Sequence, residues 1–274
     1  MRTRVLTLLL STAALAGLAS CSTSHHEKLI GFDTDLARAV AAMLDVEVEF
    51  KEIVWEQKEI ELQSKQIDLI WNGLTITGER REAFTLSTPY MTNSQVIVAK
   101  KSFDGTLGKD NAYKVAYENG SAGEEAAAEN ELFSKCTKLG MDAQVNALME
   151  VQAGTSDFAI IDSVMAGWYI NSGTSYSDLK IIDSYNLTSE FYGIAGRKSD
   201  VGFMAKINEA IKAVYEAGET AKIAATYGVT GSLCALKSFT SFADAGETAS
   251  WDAIAQKGKF TVGYTVFAPI AYFA

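Results

Sequence analysis

The chain of 274 residues is acidic, with 34 Asp and Glu against 24 Lys and Arg and a net charge of −10. That balance excludes a general nucleic-acid partner, whose phosphates demand clustered Lys and Arg. Beyond an N-terminal leader, about 250 residues remain, enough to bury one large core or two smaller ones.

Residues 1–20 carry Arg2 and Arg4, then an apolar run from Val5 to Leu18, then Leu18-Ala19-Ser20-Cys21. A short basic region, an apolar stretch and a small-residue cleavage site describe a secretory signal peptide. Cys21 directly after Leu-Ala-Ser looks like a bacterial lipobox, whose cysteine receives lipid and becomes the mature N-terminus. Residues 21–26, with His25 and His26, are then a lipid-anchored tether. The plainer alternative is an ordinary signal peptide with an incidental cysteine. No second apolar stretch approaches the roughly 20 residues of a membrane helix, so the mature protein is expected outside the cytoplasm, tethered and not embedded. Only Cys136 and Cys234 remain. Their spacing suggests neither a disulfide nor a metal site, so two unbridged thiols are expected.

Along the chain, helical and strand signals alternate. Leu36, Ala37, Val40, Met43 and Leu44 fall at helical spacing behind Asp33, a good N-cap. Val46, Val48 and Phe50 alternate with Glu47 and Glu49, a half-buried strand. A helix over 55–64 leads into the continuous apolar run 67–71, as in a strand buried on both faces. Further strands are predicted over 96–99, 114–117, 158–161 and 191–195. Val145, Leu148 and Val151 form a helical stripe, and 201–217 reads as an amphipathic helix. Such alternation implies an α/β fold with mostly parallel sheet and covering helices. Residues 228–250, rich in Gly, Ser, Thr and Ala with weak periodicity, read as a flexible joining segment.

The chemistry concentrates where the buried strand ends, at Trp71-Asn72-Gly73-Leu74-Thr75-Ile76-Thr77-Gly78-Glu79-Arg80. Backbone N–H groups point outward there, Gly73 permits close approach and Thr75 offers a hydroxyl. Arg80 adds a planar fork suited to a carboxylate. Alone, an arginine at a helix start is a solvated surface charge; in this setting a ligand role is favoured.

The stretch from Gly73 to Arg80, followed by Leu86-Ser87-Thr88-Pro89-Tyr90, closely resembles the polar amino-acid family of bacterial solute-binding proteins (family 3), the extracytoplasmic receptors of ABC importers. The resemblance continues at 31–37, at Gly120-Ser121-Ala122-Gly123-Glu124 and at Asp157-Phe158-Ala159-Ile160-Ile161-Asp162. It implies a two-lobed periplasmic-binding-protein fold of type II. The larger lobe would span 27–98, 194–229 and 251–274, and the smaller 102–190, with crossovers near 96–100 and 191–195. It also implies a site. Arg80 would clamp the α-carboxylate, helped by Thr75 and by backbone N–H near Ser121 and Ala122. Asp162 would take the α-ammonium with the carbonyl of Gly73, and Trp55 and Phe267 would sandwich the side chain. A zwitterion needs such a fixed cation, fixed anion and set of donors.

The segment Lys259-Phe260-Thr261-Val262-Gly263-Tyr264-Thr265-Val266-Phe267-Ala268-Pro269 reads as the first strand and ligand loop of this fold, although it stands near the end of the chain. Residues 28–36 read as what normally follows. The resemblance therefore implies a circular permutation, with 230–250 bridging the two ancestral ends. Tyr264 and Thr265 stand in the first-strand loop, and Asn72, Glu118 and Asn119 could also face the ligand side chain. Tyr264 and Asn72 favour a neutral polar group, while Glu118 could accept a cation, and a strand-end glutamate usually points to solvent. The expected order is therefore polar neutral first, basic second and acidic third.

The expected partners are an amino acid, a membrane permease and the lipid on Cys21, with the protein a monomer. No cofactor, metal or catalytic set is expected. The folded body lacks histidine, so Glu118 is the only obvious acid–base group for an enzyme on this scaffold. A sensory receptor domain would bind identically, but the chain carries no output segment.

Overall fold

The computed structural model describes residues 28–110, 112–171, 175–235 and 247–274. The expected signal peptide, Cys21, the tether and most of the expected bridge lie outside the described residues. A short strand β1 (Leu29–Ile30) precedes helix α1 (Phe32–Met43), whose stripe of Phe32, Leu36, Ala37 and Val40 is buried. Gly31, at φ 137°, is its N-cap. Asp33, expected in that role, stands inside the first turn and is buried instead.

The alternating run forms β2 (Glu47–Glu52), a 3₁₀ turn at Trp55–Gln57 leads into α2 (Lys58–Gln63), and the apolar run forms β3 (Leu69–Thr75), buried along its whole length. Next come α3 (Gly78–Ala83), β4 (Phe84–Leu86), β5 (Met91–Asn93) and β6 (Gln95–Lys100). A second set comprises β7 (Lys114–Glu118), α4 (Ala122–Glu129), β8 (Thr137–Met141), α5 (Gln144–Ala153), β9 (Phe158–Asp162), α6 (Ser163–Asn171) and β10 (Leu179–Asn186). The chain continues through β11 (Glu190–Arg197), α7 (Val201–Glu216), α8 (Glu219–Thr226), α9 (Ala249–Lys257), β12 (Lys259–Tyr264) and β13 (Tyr272–Phe273).

Two sheets hold most of these strands, and β1 and β13 form a separate pair. The larger has the order β2-β12-β3-β11-β4, with β5 also on β11, and the smaller β10-β6-β9-β7-β8. Parallel pairs hold β12 between β2 and β3, and β7 between β8 and β9. By contrast β11 runs antiparallel to β3, and β6 to β9 and β10. The sheets are therefore mixed, where the alternation of elements suggested mostly parallel ones. The chain changes sheets at Ser94 and again over 187–189. Both places lie a few residues before the expected crossovers, because the apolar residues read as crossovers are already core strand.

β12 is a central strand, not an appendage. Phe260, Val262 and Tyr264 are buried, and a Cβ on Gly263 would stand 2.6 Å from Ile67 Cδ1. Beyond it, β13 pairs antiparallel with β1, Leu29 opposite Phe273 and Ile30 opposite Tyr272. The N–H groups of Phe32 and Asp33 donate to the carbonyls of Pro269 (2.9 Å) and Ile270 (3.1 Å). Segments from both ends of the chain thus complete the larger sheet and its covering helix.

Phe260 is fully buried, with its ring 5.7 Å from that of Phe203. Truncating it to alanine is expected to destabilise the protein by about 3–5 kcal/mol, read as a lowered urea midpoint.

Candidate ligand-binding site

Between the two lobes lies a nearly closed cleft whose free space is about 10 Å³, roughly enough for one water. The larger lobe contributes Trp55, Asn72, Gly73, Thr75, Arg80, Thr265 and Phe267. The smaller contributes Glu118, Ser121, Ala122, Gln144 and Asp162.

β3 can present three neighbouring residues to one cleft because Gly73 breaks the strand's alternation. It sits at φ +61°, and a Cβ there would meet the Phe267 ring at 2.7 Å. The amide nitrogen of Asn72 donates to Thr265 Oγ1 at 3.0 Å, and the Thr75 hydroxyl to Glu190 Oε2 at 3.0 Å. Thr77 caps α3 by accepting from the Arg80 N–H at 3.2 Å, which fixes the helix start that carries Arg80. The guanidinium is buried and donates to the carbonyls of Thr75 (2.8 Å) and, across the cleft, Gly120 (3.2 Å). Burial draws its pKa down, opposed by Glu125, Glu190 and Asp162.

From the other lobe Asp162 ends β9 in a network of amides. Gln95 Nε2 donates to it at 2.8 Å, and Asn93 Nδ2 and Gln144 Nε2 donate to it in closer bonds. Its own N–H donates to Gln144 Oε1 at 2.9 Å. Burial, aided by Glu190, pushes its carboxyl up to about 6, so it is mostly ionised at neutral pH. Glu118 ends β7 and is 4% exposed. Burial and then Asp162 push it up to about 8, against the pull of Lys58. Ser121 caps α4, accepting from the Glu124 N–H at 3.2 Å, and with Ala122 brings that helix end to the cleft wall.

The cleft thus gathers the residues that sequence reasoning placed there, except Tyr264 and Asn119. Tyr264 is buried with its ring edge-on to Phe50 at 6.3 Å, and its neighbour Thr265 lines the cleft instead, as strand alternation requires. Gln144, Asn93, Gln95 and Glu190 were not anticipated. Their signal was a polar side chain at the edge of an apolar element, which many solvated residues share. Lys58 was also missed. It is buried over the Trp55 ring at 5.1 Å, donating to the Gly120 carbonyl at 2.9 Å. Cys136 and Cys234 form no disulfide.

The model of bacterial extracellular solute-binding proteins, family 3, matches residues 16–230. The chain belongs to this family. A probable histidine-binding protein of Neisseria gonorrhoeae is 30% identical over 209 residues, covering 72% of this chain and 74% of that protein. An ancestral arginine-binding protein solved with arginine is 33% identical, with a TM-score of 0.67 over 73% of this chain and 88% of that one. The arginine-, lysine-, histidine-binding protein ArtJ of Geobacillus stearothermophilus is 32% identical, with a TM-score of 0.66 over 76% and 89%. The fold of this family-3 protein is accordingly the two-lobed α/β periplasmic-binding-protein fold. Among the described residues no helix is long and apolar enough to cross a membrane.

The raised carboxyl of Glu118 has a consequence for stability. An acid whose folded pKa lies above its unfolded value costs stability as pH rises between the two, here from 4.5 to about 8. Glu118→Gln is therefore expected to stabilise the ligand-free protein most above pH 8 and least below pH 4.5, measured by urea unfolding across that range.

Proposed function

We propose that this protein captures an L-amino acid with a cationic side chain and delivers it to an ABC importer. The observation that carries the reading is the opposition, across one cleft, of buried Arg80 from the larger lobe and buried Asp162 from the smaller. In this reading Arg80, Thr75 and the N–H groups at Ser121 and Ala122 hold the carboxylate. Asp162 and the Gly73 carbonyl hold the ammonium, with Trp55 and Phe267 as walls and Asn72 near the side chain.

The expected preference for a neutral polar side chain depended on Glu118 pointing to solvent. Glu118 is instead buried in the cleft, which favours a cation beside it. The relatives named for histidine, arginine and lysine support the same order.

A ligand that touches both lobes binds the closed state best and shifts the population towards it; the permease would read that shape. In this reading the protein acts as a receptor, in line with the relatives named for binding amino acids. The central place of β12, beyond the end of the family match at residue 230, supports the reading of a circular permutation bridged by 230–250. Cys21 is read as the lipid attachment, testable by palmitate labelling of the cysteine and its Ser variant, and the protein as a monomer.

Titration calorimetry with L-arginine, L-lysine, L-histidine and L-glutamine tests the ligand class. A cationic amino acid should bind, and glutamine at least tenfold more weakly. Arg80→Ala and Asp162→Ala should each cost about 2–5 kcal/mol of binding, because each leaves an opposite charge unmet. A cationic ligand favours ionised Asp162 and Glu118, so affinity should rise from pH 6 to pH 8 and level off above it. Glu118→Gln should flatten the upper part of that rise. Tighter binding of glutamine than of any cationic amino acid would overturn the preference.

A further inference from the structure

We propose that Asp33, which does not line the cleft, is a positioning residue that fixes the Gly73 peptide for ligand binding. The inference rests on the reading of the cleft as an amino-acid site. Asp33 Oδ2 accepts from the Gly73 N–H at 2.7 Å and from the Tyr90 hydroxyl at 2.7 Å. The carboxylate is 1% exposed, and its other oxygen, Oδ1, meets no hydrogen-bond donor in the structure. Its two partners are neutral, and burial pushes the carboxyl up to about 7 against their pull. A desolvated carboxylate without a cation is expensive, so packing alone gives no reason for it.

Its position explains what it does. Gly73 holds φ +61° on a strand, where neighbouring residues are extended, and its peptide needs an acceptor off the sheet. Asp33 supplies that acceptor from α1. The N–H of Asp33 in turn donates to the Ile270 carbonyl at 3.1 Å, in the turn that carries Phe267. Phe267 is the ring that a Cβ on Gly73 would strike. One residue therefore couples the pocket backbone on β3, through its carboxylate, to the loop that bears the aromatic wall, through its N–H. Tyr90, stacked on Phe32 at 6.1 Å, holds the carboxylate in place from a third element.

The test separates positioning from structural filling. Hydrogen exchange of the ligand-free wild type should show the Gly73 amide protected, and Asp33→Ala should remove that protection. The same variant should lose about tenfold or more in affinity for L-arginine at a temperature where it remains folded. Asp33→Asn, which keeps an acceptor of the same shape, should restore both within about threefold. A Gly73 amide that exchanges in the wild type as fast as an exposed one would overturn the proposal without any variant. So would Asp33→Ala binding within twofold of wild type, or Asp33→Asn binding no better than Asp33→Ala. If the wild type binds no L-arginine while Gly73 protection follows Asp33, the ligand class is wrong and the positioning role stands.

Discussion

The cleft depends on a set of ionisable groups kept out of water. Arg80, Asp162, Glu118 and Lys58 are all buried, and each would be better hydrated in an open, unfolded chain. Their cost is offset locally: carbonyls of Thr75 and Gly120 serve the cations, and three side-chain amides serve Asp162. The carboxyls still sit above their ordinary range and the cations below it. A zwitterion, the ligand class proposed above, would meet both signs at once.

The second constraint is the spacing of the lobes. Gly120, at φ +68°, brings its carbonyl against the larger lobe, and a Cβ there would stand 3.1 Å from Glu56 Cα. Both Lys58 and Arg80 reach across to that one carbonyl. A side chain at this position would hold the lobes apart, so the same glycine that bends the backbone also sets how closely the lobes approach. Behind the pocket, β12 and the β1–β13 pair bring residues from both ends of the chain to one face of the larger sheet. The aromatic wall Phe267 and the anchor Asp33 come from those two ends, joined by the β1–β13 pair and by the bonds from the Phe32 and Asp33 N–H groups to the Pro269 and Ile270 carbonyls.

Much of this was legible in the order of residues. Strand β3 announced itself as an unbroken apolar run, β2 as strict alternation and α7 as a helical stripe, because burial on two faces, one face or one stripe leaves a period in the sequence. Arg80 and Asp162 stood at element ends, where open α/β sheets gather ligands. Strands β8 and β10 left weaker traces; β8 is largely exposed and so carries no apolar period. The sense of Asp33 was misread for a comparable reason. An Asp before a helical stripe is ordinarily a cap, and nothing local shows that Gly31 takes that place and frees the carboxylate to turn inward.

By itself the sequence determined the fold class, the alternation of elements and the pair Arg80 and Asp162 that one cleft gathers, since these follow from local periodicity and from residue chemistry. Only the tertiary structure decided that Glu118 faces the cleft, that Thr265 and not Tyr264 lines it, and that Asp33 holds Gly73. Each depends on which face of an element meets a partner distant in the chain, and burial sets those choices only once both lobes are packed.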